Sequence, residues 1–295
     1  MAVTVQTNVA ALTSQRNFRS CSMLNEEATK RLSSGKSINS AKDDPANLQI
    51  SHKFTSQINC LDRGNRNSSE GDAVATLAEN ALAEDFTILQ RIRQLAVQSA
   101  NGTYSQADRD TMQKEVEELC SELTRVACKT TYGGAQLLNG TSNGLINSSG
   151  ELKLQVGANA QTTISVDLSV SFTMSKMQEH IGGVSATSGY NVSLQSFDIS
   201  SIDNAQAVLG AIDDYIAFID SKRAELGALS NRLTSTITNQ ESMHENESDA
   251  RARISDADYA IETSKLVQSN IMEDATSQMM LQANAFPNIV ANLLS

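Results

Sequence analysis

The string "SMHENES" around His244 comes nearest to metal chemistry. It opens like the His-Glu-x-x-His pattern, in which two imidazoles one helical turn apart hold zinc and the Glu acts as base. Position 248 is Ser, so the second ligand is missing, and His52 and His180 are far off in the chain. A solvated histidine on a helix face accounts for His244. "GGVSATSG" at 182–189 is glycine-rich but lacks the Lys of a phosphate loop, and no strand leads clearly into it. The pairs Asp43-Asp44 and Asp213-Asp214 fall at helix starts or on a polar face, where capping and solvation explain them without acid–base work. No Ser/His/Asp grouping is evident. The Asn-x-Thr sites at Asn101 and Asn139 arise readily by chance in a chain so rich in Asn and Ser. These residues predict no enzyme, no metal and no cofactor.

The cysteines are Cys21, Cys60, Cys120 and Cys128, with no Cys-x-x-Cys. Cys120 and Cys128 are eight apart on a predicted helix, about 12 Å at 1.5 Å per residue. That exceeds the roughly 4.4–6.8 Å Cα separation of a disulfide. Buried thiols acting as small apolar side chains are the favoured reading. A Cys21–Cys60 or intersubunit bridge is the alternative.

With no chemistry to position, the elements themselves become the subject. The chain has 295 residues, 40% of them hydrophobic but only 4% aromatic, with no Trp, two Pro and 15 Gly. So few helix breakers allow long helices. Net charge is −11. That disfavours a nucleic-acid binder, which needs a basic face to displace counterions. The charge is uneven: residues 1–66 hold nine Lys/Arg against five Asp/Glu, and the rest hold 14 against 29. No apolar run approaches the ~20 residues of a membrane span. The start, "MAVTVQTNVAALTSQRNF", is not a basic stretch followed by an apolar core. These features alone suggest a cytosolic protein.

Apolar spacing predicts helices almost everywhere. Val208, Ile212, Tyr215, Ile219, Leu226, Leu229 and Leu233 step by fours and threes, with Lys222 the one polar entry, and Asp203 is a candidate N-cap. Met112, Val116, Leu119, Leu123 and Val126 form a second seam. Residues 73–100 show a broader apolar face. In 46–72, "RGNRNSSEGD" favours a break. "ELKLQV" and "TTISVDLSV" alternate and are separated by "GANAQ", which predicts a hairpin near 150–170. Residues 171–201 are Ser-rich and weakly patterned. At the ends, residues 3–32 and 255–294 are amphipathic and lack a neighbour along the chain. Their simplest burial is against each other, antiparallel, with surplus apolar face left over. The expected fold is mainly α: an elongated helical rod or coiled-coil bundle with a small β-hairpin region and paired N- and C-terminal helices.

Several blocks carry a family resemblance: "MAVTVQTNVAALTSQRN", "RLSSGKSINSAKDD", "LQRIRQLAVQSANGT", "TTYGGAQLLNG", "LQVGANA", "AIDDYIAFIDSKRAELGALSNRLTSTITN", "ARARISDADYAIETSKL" and "MLQANAFPNIVANLL". In this order they resemble the bacterial flagellins, filament subunits of the flagellum, over nearly the whole chain except about 171–198. The resemblance implies a terminal coiled-coil domain of 1–40 and 255–295 and a rod domain of 41–254, with 171–201 as a short variable segment. It implies a self-assembling structural protein for motility, alone or mixed with other flagellins; the alternative is a hook–filament junction protein of the same helical family. It implies an extracellular location reached through the flagellum's own type III apparatus without a cleaved signal peptide. An export chaperone on the C-terminal helix, cap and junction proteins, and a host Toll-like receptor follow as partners, with no nucleic acid and no membrane. Arg91, Leu95 and Glu115 match the receptor-contact positions. Val9, Leu12, Leu32, Leu266, Ile271, Met279 and Leu293 are the expected assembly residues, and Asp43, Asp44 and Pro45 the domain joint, non-helical from about Ser34 to Asp44. "DDPANLQIS" for the family's "DDAAGLQIS", "RISDADYA" for "RIRDTDFA", and the four cysteines point to a minor or divergent paralogue.

Overall fold

The computed structural model describes residues 7–140, 145–181, 189–191 and 194–294, the last of these without side chains from residue 286. Its helices are α1 (Val9–Ser34), α2 (Pro45–Ser99), α3 (Gln106–Lys129), α4 (Met174–His180), α5 (Ile202–Ser255) and α6 (Tyr259–Leu294). Three antiparallel two-stranded pieces lie between α3 and α5: β1 (Thr131–Tyr132) with β2 (Ala135–Gln136), β3 (Glu151–Gln155) with β4 (Thr163–Asp167), and β5 (Tyr190–Asn191) with β6 (Ser196–Phe197). The chain divides into two compact units, Met1–Ile58 with Glu245–Ser295, and Asn59–His244.

In the first unit, α1 runs antiparallel to α6. Asn8 Nδ2 donates to Ala283 O at 2.7 Å, Asn25 Nδ2 to Asn270 Oδ1 at 2.6 Å, and Tyr259 Oη to Leu32 O at 3.3 Å. Gly35 ends α1 at φ +70°, where a side chain would be strained, and its N–H caps Arg31 O at 2.9 Å. Residues 35–44 are not helical. This segment is tied to the end of α5 by Ser37 N–H to Ser255 O at 2.8 Å, and Ala257 N–H returns to Gly35 O at 3.0 Å.

The second unit is built on α2, α3 and α5. All the anticipated α5 seam positions are buried except Leu229, which is half-buried. Lys222 is only 7% exposed; its ammonium leaves the core at the tip, reaching Asp167 at 3.2 Å and Glu225 at 2.9 Å. The α3 seam differs from expectation. Met112, Val116 and Leu123 are buried, but Cys120 and Ala127 take the places expected of Leu119 and Val126. A 3.6-residue repeat drifts from strict 4-3 steps, and the smaller side chains occupy the closest approach. The expected hairpin forms, with Leu152 opposite Val166 and Leu154 opposite Ile164.

Three further expectations change. The break in "RGNRNSSEGD" does not occur, and α2 runs straight through it. A Cβ on Gly64 would come within 2.1 Å of Val156 O, and one on Gly71 within 2.1 Å of Leu154 Cδ1, so these glycines let the hairpin lie on the helix. Asp203 is inside the first turn of α5, and Ser201 is the cap, its Oγ accepting from Asn204 N–H at 3.2 Å. The Ser-rich stretch contributes core: Phe172, Met174, Met177, Phe197 and Ile199 are each 1% exposed or less.

Candidate functional site

Among the described residues no three His, Cys, Asp or Glu side chains gather as a metal site. His244 Nε2 faces Asp62 at 3.3 Å, and His180 packs its ring on Phe218. Most of the glycine-rich stretch at 182–189 lies outside the described residues. All four cysteines are free thiols. Burial pushes Cys120 up to about 11, which leaves it protonated and unreactive.

The acidic joint residues are local caps. Asp43 accepts from the Asn39 and Ser40 N–H groups and the Ser40 hydroxyl, and the Asn39 bond leads in holding its carboxyl below the usual value. Asp44 Oδ1 accepts from Ala46 and Asn47 N–H at 3.0 Å each, and Pro45 is the first residue of α2, where no amide donor is needed. Of the anticipated receptor trio, Arg91 and Glu115 are exposed neighbours, Arg91 Nη2 donating to Glu115 Oε1 at 2.7 Å. Leu95 is only 3% exposed; it packs in the core beneath this patch and is not a surface residue.

The surface with an unmet physical demand is on α1 and α6. Their pairing buries Cys21, Ala28 and Ser269. It leaves Val9 64%, Leu12 58%, Ile271 63% and Met279 60% exposed. Leu32 and Leu266 are half-buried, and the Leu293 side chain lies outside the described residues. Met23, Leu24, Val267 and Leu281 extend the same apolar character, each more than half exposed. None of these four is among the assembly residues expected from the sequence. Thr263, Val267, Ile271 and Met272 line an open groove along α6. Full burial of one such side chain gains about 1.5–3 kcal/mol. An exposed ion pair contributes at most about 1 kcal/mol. Apolar cover therefore dominates the energetics of this face, and its polar contacts set register. Asn25 spans to Asn270 and Glu273, and Arg31 to Glu262 at 3.3 Å.

Residues 5–143 match the family model described as bacterial flagellin N-terminal helical region, and 209–294 the one described as bacterial flagellin C-terminal helical region. The chain is 34% identical to polar flagellin F of Vibrio parahaemolyticus and 33% identical to flagellin D of Vibrio cholerae, with 100% of each chain covered. Those alignments span 376 positions against 295 residues, so about 80 positions of the relatives have no counterpart in this chain. A V. parahaemolyticus structure assigned to a flagellar hook-associated protein matches with a TM-score of 0.58 at 16% identity, over 72% of this chain and 100% of that one. At that identity the likeness concerns fold alone.

Proposed function

We propose, for a chain that belongs to the bacterial flagellin family and is a structural subunit of the extracellular flagellar filament, that α1 and α6 together form the surface by which one copy holds the next. The chain is not an enzyme, and it self-polymerises as the family does. The hook–filament junction alternative is not favoured, because the full-length relatives at 34% and 33% identity are flagellins.

The observation that carries the proposal is the stripe Val9, Leu12, Ile271 and Met279, exposed on helices that already spend their other face on each other. Ile271→Asp combined with Met279→Asp tests it. Both side chains are exposed in the monomer, so helicity by circular dichroism should be unchanged. Losing about 3 kcal/mol of burial at an intersubunit contact raises the critical concentration by about a hundredfold or more. Polymerisation of this variant at the native concentration would refute the assignment. Truncation at residue 254 should abolish filaments as well.

The finer partners follow from the same face and from the family resemblance. A stripe this apolar needs cover before assembly, which suits an export chaperone on α6, delivery through the type III apparatus without a cleaved signal, and cap and junction proteins at the filament ends. The chain truncated at residue 254 should fail to co-purify with such a chaperone. The functional division is proposed as 1–40 with 255–295 against 41–254, with Asp43, Asp44 and Pro45 at the joint. For the free monomer we assign the Toll-like receptor contact to Arg91 and Glu115, with Leu95 supporting it from below. Arg91→Ala and Glu115→Ala should each weaken receptor activation, and full activation by both would remove the assignment. The departures from the family's usual motifs support a minor or divergent paralogue within a mixed filament.

A further inference from the structure

Asn101 and Asn139 stand in the same tripeptide, Asn-Gly-Thr. An Asn-Gly bond carries an intrinsic reactivity. The glycine nitrogen, unshielded by a neighbouring side chain, attacks Cγ of the asparagine. A C–N bond forms, the side-chain amide leaves as ammonia, and the resulting succinimide is opened by water to aspartate or isoaspartate. The step needs water alone. In a folded chain its rate depends on whether the backbone can bend to bring nitrogen and Cγ together, or must first open locally.

The two sites differ in that respect. Asn101 and Gly102 are exposed in the turn between α2 and α3, and a Cβ added at Gly102 would meet nothing within 4 Å. The Asn101 Oδ1 accepts from Thr103 N–H at 3.2 Å, which polarises the carbon under attack. Asn139 is half-buried and its backbone bridges to Ser171. Its Nδ2 donates to Gln136 Oε1 at 2.9 Å, and a Cβ on Gly140 would lie 2.9 Å from Ser171 N and 3.0 Å from Ser169 O.

We propose that Asn101-Gly102 is a site of spontaneous deamidation and isoaspartate formation in the folded chain, while Asn139-Gly140 is protected by its packing. The product matters to the fold around it. Asn101 O accepts from Arg109 Nη1 at 3.2 Å, and the same guanidinium holds Ser99 O at 2.8 Å and Tyr104 O at 2.7 Å. Isoaspartate lengthens the main chain by one methylene at the turn that Arg109, 9% exposed, ties together, and adds a carboxylate there.

The test is timed incubation of the full-length protein in mildly alkaline buffer, followed by mass-resolved peptide mapping. Local opening worth about 1.4 kcal/mol slows a reaction about tenfold. The folded chain should therefore convert Asn101 at least about ten times faster than Asn139, and in guanidinium the two rates should converge. Gly102→Ala, which has room for its methyl group, should slow conversion at Asn101 alone. Equal rates in the folded chain, a ratio that persists in denaturant, or undiminished conversion in Gly102→Ala would each overturn the proposal. The peptide of Asn143-Gly144, which lies outside the described residues, is followed separately in the same map.

Discussion

Asp85 has both carboxylate oxygens buried without a hydrogen-bond partner among the described residues, on a residue of 0% exposure. Burial, and then the nearby negative charges of Glu84 and Glu122, push its carboxyl from the ordinary 3.8 up to about 8. The folded chain thus keeps a proton that the unfolded chain releases near pH 4. Below that pH both states are protonated and the site is neutral in its effect. Between about pH 4 and pH 8 stability falls as pH rises, and above pH 8 the full penalty is present. Asp85→Asn removes the titration while keeping the shape. Its urea midpoint should match the native protein near pH 3 and exceed it increasingly up to pH 8, the difference growing toward a few kcal/mol at about 1.4 kcal/mol per pH unit. Midpoint curves that stay parallel across that range would show that Asp85 finds a partner in solution. An aspartate on an apolar helix face is visible in the pattern; the absence of a compensating base is a property of three packed helices.

At the scale of elements, what was legible depended on whether one residue's role is set by its own neighbours in sequence. The α5 seam was legible from Val208 to Leu233 because each buried position repeats at helical spacing. The hairpin was legible because Leu152, Leu154, Ile164 and Val166 alternate, and the observed register pairs them across the two strands. The non-helical joint was expected from about Ser34 to Asp44; the structure starts it one residue later, at Gly35, whose left-handed φ stops α1, and ends it at Pro45, the first residue of α2. Gly64 and Gly71 were misread because glycine has two uses. One loosens a helix, and the other admits a neighbour from far along the chain, here Val156 O against Gly64 and Leu154 against Gly71. The Ser-rich stretch was misread for the opposite reason. Phe172, Met177 and Phe197 are isolated apolar residues that no period connects, yet each reaches the core, Phe172 from the segment before α4, Met177 from α4 and Phe197 from β6. The candidate assembly face was legible in part. Val9, Leu12, Ile271 and Met279 were among the expected assembly residues on two amphipathic ends, but only the antiparallel pairing decides which side of each helix remains open. Leu95 shows the limit of motif matching, since a matched position can be buried 3% exposed while its companions Arg91 and Glu115 remain on the surface.

The whole molecule carries a net charge of −11, with a positive balance confined to its first 66 residues. Every copy added to a polymer brings the same charge, so assembly works against mutual repulsion and is driven by apolar burial. The two contributions respond to salt in opposite ways. Screening shortens from about 10 Å at 0.1 M to about 3 Å at 1 M, which weakens repulsion between copies along with exposed ion pairs. Burial of Leu12, Val267, Ile271 and Met279 is not weakened, and strongly hydrated anions such as sulfate strengthen it. If the stripe drives polymerisation, the critical concentration should fall from 0.05 M to 0.5 M sodium chloride and fall further in sulfate at equal ionic strength, as measured by sedimentation of filaments. An assembly held chiefly by attraction between the basic start of one copy and the acidic remainder of another would respond in the reverse direction, and its filaments would dissolve as salt is added. Sedimentation of the Ile271→Asp, Met279→Asp variant over the same salt series then separates the two terms. Because the two aspartates add negative charge at the contact, screening should lower its critical concentration by a larger proportion than in the native chain, while an offset persists at the highest salt because it reflects lost buried area.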